Sequence, residues 1–195
     1  MRLFVGIPLP AAVSEEVLAL SLRLQSPGDG LRWSAPESWH ITLQFLGNTG
    51  PEKYDCIAAR LRELRQEQFS ITIGETGFFD RVGIFFAGVD LTPELNGLHL
   101  AVTGATAKCG FVPETRPYHP HITLARAKNG KSGLQALAHL KARLRRQPAR
   151  WSFVAESFLL YESFTLPSGS RYQVRERFPL RGERTAEPST VSSLR

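Results

Sequence analysis

His40-Ile41-Thr42-Leu43 returns further along the chain as His121-Ile122-Thr123-Leu124, and this repetition decides how the rest is read. The offset is common to both polar residues: His121 stands 81 residues after His40, and Thr123 stands 81 after Thr42. Side chains two residues apart share one face of a pleated strand. Each copy, taken as a β-strand, therefore presents an imidazole and a hydroxyl on the same side.

Outward from the two copies, the flanking sequence repeats as well. Pro36-Glu37-Ser38 precedes the first copy and Pro113-Glu114-Thr115 precedes the second. A short β-rich run over 2–8 leads to a helix marked by Val13, Val17, Leu20 and Leu24, whose spacings of 4, 3 and 4 trace one apolar helical face. The cluster from Ser26 to Gly30 ends that helix. After the first motif, Tyr54, Ile57, Leu61 and Leu64 predict a helix over 52–66, and the alternation at 69–73 predicts a half-buried strand. The order then restarts: a strand over 83–89, a helix through Leu95, Leu98, Val102 and Ala105, and the second motif. A helix through Leu134, Leu137 and Leu144 follows, then a long strand over 151–161.

This order predicts an α+β fold built from two duplicated β-α-β-α-β units, over about 2–80 and 82–163, because a fixed repeat spacing is the mark of repeated architecture. Tyr172, Val174 and Phe178 add one strand over about 170–180, a hairpin partner to the strand before it across Pro167-Ser168-Gly169. Residues 1–181 are thus expected to form a single bilobed domain. The polar, aperiodic stretch 182–195 is expected to be a disordered tail.

The formal charge of +6 fits a polyanionic partner. No apolar run approaches the ~18 residues of a membrane-spanning helix, and the first strand is too short and too proline-interrupted to read as a signal peptide. The chain is expected in the cytoplasm, with no membrane partner. Cys56 and Cys109, lacking a CxxC pattern, are expected as buried reduced thiols.

Two histidines from related halves, converging on one cleft, form an acid and base pair suited to displacement at phosphorus. An imidazole titrates near neutrality, so one ring can take a proton while the other gives one. Thr42 and Thr123 are placed to donate hydrogen bonds to the non-bridging oxygens. A single strand histidine is more often a satisfied polar residue, but two copies in register reverse that reading for His40 and His121. His99 and His139 gain nothing from the repeat and are read as structural or solvent-exposed. His119-Pro120-His121 lacks the acidic or thiol partners of a zinc site, so no metal is expected and His119 is read as a shaping residue. Arg116 and Arg126 bracket the second motif and offer forked donors to phosphate. Phe45, Trp39 and Tyr118 are candidate faces for a base, with core packing equally open to each. Lys141, Arg143, Arg145, Arg146 and Arg150 form a basic run, either a track for RNA or a solvated helix face.

His40-Ile-Thr-Leu-Gln-Phe-Leu-Gly47 and Arg116-Pro-Tyr-His-Pro-His-Ile-Thr-Leu-Ala-Arg126 resemble the two HxTx signatures of the 2H phosphoesterase superfamily. Together with Arg2-Leu-Phe-Val-Gly-Ile-Pro-Leu-Pro10 and the region 158–180, they resemble the RNA 2′,3′-cyclic phosphodiesterases, also called 2′-5′ RNA ligases. The resemblance implies two lobes related by a pseudo-twofold axis, with mostly antiparallel sheets lining a central cleft and helices outside. It implies hydrolysis of a 2′,3′-cyclic phosphate end of RNA to a 2′-phosphate, without metal or other cofactor; a monomer is expected. His40 would be the proton donor, His121 the proton acceptor, and Thr42 and Thr123 the phosphate holders. Arg126, Arg116, Tyr118 and Phe45 are the phosphate- and RNA-binding candidates. Joining of 2′-5′ linked ends needs no different residues, and a non-catalytic RNA- or nucleotide-binding module using the same cleft is the competing reading.

Overall fold

In the computed structural model, which describes residues 1–128, 131–144, 150–166 and 169–181, the repeat is realised as two antiparallel sheets. The chain runs β1 (Arg2–Pro8), α1 (Ala11–Leu24), β2 (Leu31–Trp33), β3 (His40–Asn48), α2 (Pro51–Arg62), β4 (Phe69–Phe79), β5 (Ile84–Val89) and α3 (Pro93–Ala107). It continues through β6 (His121–Ala127), α4 (Lys131–Arg143), β7 (Trp151–Ala155), β8 (Ser157–Leu166) and β9 (Gly169–Pro179). One sheet has the order β3-β1-β8-β9 and the other β2-β6-β5-β4-β7. The two sheets line a central cleft, with helices outside, giving the α+β class read from the sequence.

Neither sheet is built from one half of the chain. β4, which closes the first repeat in sequence, pairs with β5 and β7 in the sheet of the second motif. β8, from the second half, pairs with β1 in the sheet of the first. With β2 and β9 as well, each half contributes two strands to the other's sheet, and the halves are interlocked through main-chain hydrogen bonds.

The strand expected over 151–161 is two strands. Trp151–Ala155 pairs with β4, whereas Ser157–Leu166 pairs with β1 and β9. Periodicity along one run cannot show a change of partner at Glu156, because both pieces carry the same strand-forming residues. The cysteine expectation is also corrected: Cys56 on α2 and Cys109 just beyond α3 form a disulfide. α2 and α3 pack together, and the two Cα atoms lie 5.9 Å apart, inside the span a disulfide bridges. Sequence separation hid that closeness.

The helices form where local chemistry directs. Thr92 caps α3, its side-chain oxygen accepting from the Leu95 N–H at 3.3 Å, and Pro93 follows at the first helical position. Leu95, Leu98 and Val102 of α3 are fully buried, as are Val17 and Leu20 of α1 and Ile57 and Leu61 of α2. In α4 the inner stripe is Leu137 and Leu140, whereas Leu134, expected on it, is exposed. Ile41, Leu43, Ile122 and Leu124 anchor the motif strands in the core, which leaves the alternate histidine and threonine positions facing away from it. The expected tail 182–195, and Arg145 and Arg146 of the basic run, lie outside the described residues. Among the described residues, no helix is long and apolar enough to cross a membrane.

Candidate active site

Both histidines are held in the same way. His40 Nδ1 lies 2.8 Å from the Ser38 carbonyl, and His121 Nδ1 lies 2.8 Å from the His119 carbonyl. A carbonyl only accepts, so each neutral ring carries its proton on Nδ1 and keeps Nε2 bare. His119, read as a shaping residue, does its shaping through its main chain. Thr42 and Thr123 are half-buried. Their registers are regular with those of the histidines, Gly6 facing Thr42 and Gly88 facing His121, so each hydroxyl shares its imidazole's face.

Beyond the threonines, both strands break alternation at the same residue of the motif. The pairing of β1 with β3 skips Leu43, and the pairing of β5 with β6 skips Leu124. A β-bulge of this kind re-aims the residues that follow. It explains why Arg126, three positions after Thr123 and so on the opposite face of a regular strand, projects its charge onto both His40 and His121. The residue at the matching place in the first motif is Phe45, exposed, with its ring 6.0 Å from that of Phe4.

Aromatic rings surround both imidazoles. Phe4, Tyr172 and Tyr161 lie 4.6, 5.1 and 5.7 Å from the His40 ring, and Phe79 and Phe86 lie 4.9 and 5.4 Å from His121. Two close approaches depend on missing side chains: a Cβ on Gly6 would meet the Ile41 carbonyl at 3.0 Å and the His40 ring at 3.3 Å, and a Cβ on Gly77 would strike the Phe86 ring at 2.5 Å. Burial is the main electrostatic consequence. It pulls the His40 pKa down to about 4 against the opposing bond to Ser38, and the charges of His121 and Arg126 lower it further. Burial also lowers the pKa of His121, where the bond to His119 opposes and the charges of His119 and Arg126 assist. The dependence of His40 on the charge of His121 puts the two rings within electrostatic reach of each other. Arg126 is itself held below its ordinary value, first by burial, with Tyr172 opposing and the positive charge of Arg32 adding to it.

The remaining candidates divide. Arg116 is exposed and ion-paired to Glu114. Tyr118 donates its hydroxyl to the Thr42 carbonyl at 3.0 Å and stacks on His99, behind the motif strand rather than at its open face. Trp39 is in the core. Lys141 and Arg150 pair with Asp80 and Asp90. Residues that motif reading did not single out include Phe4, Phe86, Tyr161, Tyr172 and Arg32. For the first two a signal existed, since Phe4-Val5-Gly6 and Phe86-Ala87-Gly88 repeat the same Phe-x-Gly spacing, on β1 and β5, the strands that pair with the two motif strands. Tyr161 and Tyr172 come from the exchanged and added strands, which carry no matching pattern. Among the described residues, no three His, Cys, Asp or Glu stand close enough to hold a metal ion.

The 2′-5′ RNA ligase superfamily, as a sequence family, matches residues 10–163. The RNA 2′,3′-cyclic phosphodiesterase of Escherichia coli strain K12 is 29% identical over 180 residues, spanning 92% of this chain and 96% of its own length. The enzyme of the same name from Thermus thermophilus is 30% identical over 198 residues, spanning 96% and 94%. The crystal structure of E. coli LigT complexed with 3′-AMP superposes with a TM-score of 0.77 at 27% identity, covering 92% of this chain and 97% of that one.

Proposed function

Because this chain belongs to the 2′-5′ RNA ligase superfamily, we propose that it opens 2′,3′-cyclic phosphate ends of RNA to 2′-phosphomonoesters by paired imidazole catalysis without a metal. The observation that carries this reading is the matched pair of Nδ1-anchored histidines with bare Nε2 atoms, each beside a threonine hydroxyl and both within reach of Arg126. Water attacks phosphorus and loses a proton to His121 Nε2, the bond from phosphorus to O3′ breaks, and His40 Nε2–H returns a proton to the departing 3′ oxygen. Thr42, Thr123 and Arg126 steady the charge that builds on the non-bridging oxygens. With a 5′-hydroxyl strand in place of water, the same steps join 2′-5′ ends: the P–O5′ bond forms and the bond from phosphorus to O3′ breaks.

Burial lowers both pKa values, so both rings are mainly neutral near pH 7 in the free site, and a proton on His121 disfavours a second on His40; the one proton that an acid–base pair requires is taken up as the substrate binds. The phosphate anion offsets the charge of Arg126 and lets that proton reside at His40. The direction of the assignment follows the family resemblance. Phe45, exposed on the strand that carries His40, offers its ring to the terminal base. Residues 1–181 act as one bilobed domain and as a monomer in this reading, since both histidines come from a single chain.

The test is incubation of the purified protein with a dinucleotide ending in a 2′,3′-cyclic phosphate, with EDTA present. Accumulation of the 2′-phosphomonoester is expected. Binding with no turnover would replace the enzyme by a non-catalytic RNA-binding module, and a 3′-phosphate product would reverse the bond that breaks.

A further inference from the structure

The strand of the first motif lies at a sheet edge, since β3 is terminal in the order β3-β1-β8-β9. β6 is flanked on both sides, by β2 and β5. An edge strand leaves main-chain groups without strand partners, and the bulge at Leu43 adds to that. The equivalent bulge carbonyl, that of Leu124, accepts a main-chain N–H from Ser34 at 2.8 Å. The Leu43 carbonyl instead accepts from the Nδ1–H of His99 at 2.8 Å, and the Thr42 carbonyl next to it accepts from the Tyr118 hydroxyl at 3.0 Å. The two donor rings lie face to face, with centroids 3.9 Å apart and planes 3° from parallel.

Their positions couple the two motifs. Tyr118 precedes His121 by three residues, and Thr42 follows His40 by two. Among the described residues, the Tyr118–Thr42 bond is the one hydrogen bond joining the segment 116–126 to the segment 38–48. His99 arrives from α3, which packs on β3, and holds the Tyr118 ring from behind. We propose that His99 and Tyr118 are positioning residues, a two-ring clamp that sets the separation of the two catalytic imidazoles by fixing the edge strand of the first motif to the entry of the second. The catalytic consequence rests on the phosphodiesterase reading; the positional one does not. Burial keeps the Tyr118 hydroxyl above its ordinary pKa, so it remains a donor throughout the working pH range.

Tyr118→Phe removes the bond and keeps the ring, His99→Phe removes the Nδ1–H and keeps the stack, and His99→Asn restores a donor near the Nδ1 position. Misplacing reacting groups by about 1 Å costs about 100-fold. Tyr118→Phe and His99→Phe are therefore expected to lower kcat by about 10- to 100-fold while KM stays within about threefold, and His99→Asn should recover much of the loss relative to His99→Phe. The acid limb of the kcat/KM profile should move up in Tyr118→Phe, because a loosened gap admits water to His40 and separates it from His121. A lowered melting temperature with kcat, per folded molecule, and the acid limb both unchanged would overturn the clamp. If wild-type protein turns over no cyclic phosphate, the phosphodiesterase reading fails by itself. The clamp is then decided by carbon-13 NMR titration of labelled histidine: a higher His40 midpoint in Tyr118→Phe supports it, and an unchanged midpoint overturns it.

Discussion

β3 and β6 carry the same four residues, the same anchoring of Nδ1 two residues upstream and the same bulge at the leucine, yet they sit differently in the molecule. One is an edge strand finished by two side chains from the other half, and the other is an inner strand finished by main chain. Just after the bulge, where the chain re-enters the cleft, the first strand presents Phe45 and the second Arg126. In the proposed reaction symmetry supplies two equivalent proton carriers, and departure from symmetry supplies direction: an exposed aromatic ring on the first strand and, on the second, a guanidinium whose charge reaches both imidazoles. A symmetric pair of imidazoles cannot distinguish the two ester oxygens of a cyclic phosphate. A base held on one side and a charge held on the other can.

Breaking the symmetric part should have the largest effect. His40→Ala and His121→Ala should each lower kcat on a cyclic-phosphate dinucleotide by about 100- to 10,000-fold, measured as single-turnover rates, and the double variant should be little worse than either, because the two act as a unit. Arg126→Gln should come next, lowering kcat by about 100-fold as a charged donor to the building charge is lost. Phe45→Ala should raise KM by roughly tenfold and leave kcat nearly unchanged, since stacking on an open face holds the substrate equally before and during reaction. If Arg126→Gln altered only KM and Phe45→Ala only kcat, the division of labour would be reversed.

The unequal burial of the two rings sharpens the comparison further. Both pKa values lie below the ordinary 6.5, that of His40 at about 4, so the bell-shaped kcat/KM profile should be centred on the acid side of 6.5. The same shift has a sign for stability. The unfolded chain, with an ordinary imidazole, takes up a proton as the pH falls through 6.5, whereas the folded protein resists until about 4. His40 should therefore withdraw up to about 3 kcal/mol of stability between those limits, with the full contribution present above pH 6.5. His40→Phe, monitored by urea unfolding at pH 7 and pH 4.5, should flatten this dependence.

Much of this was legible in the residues. The repeated His-Ile-Thr-Leu marked the two matching strands with their paired histidines and threonines, and the 3.6-residue spacings placed all four helices, because each pattern is local. What escaped depends on partners distant in sequence. The division of 151–161 between two sheets, the closeness of Cys56 to Cys109, and the arrival of Tyr161 and Tyr172 beside His40 arise from how the halves exchange strands. Tyr118 looked like a base-stacking face beside the second motif, yet its hydroxyl bonds the first, a role set by an edge strand that sequence periodicity cannot reveal. The cleft position of Arg126 depends likewise on a bulge that leaves no trace in an alternating pattern.

The central claim is that one phosphate is held between both imidazoles. Carbon-13 spectra of histidine-labelled protein, titrated with a nucleoside 2′-phosphate at neutral pH, test it directly. The His40 and His121 resonances should move together, with one shared midpoint in ligand and both pKa values raised. Movement of one ring while the other stays at its free position would contradict it.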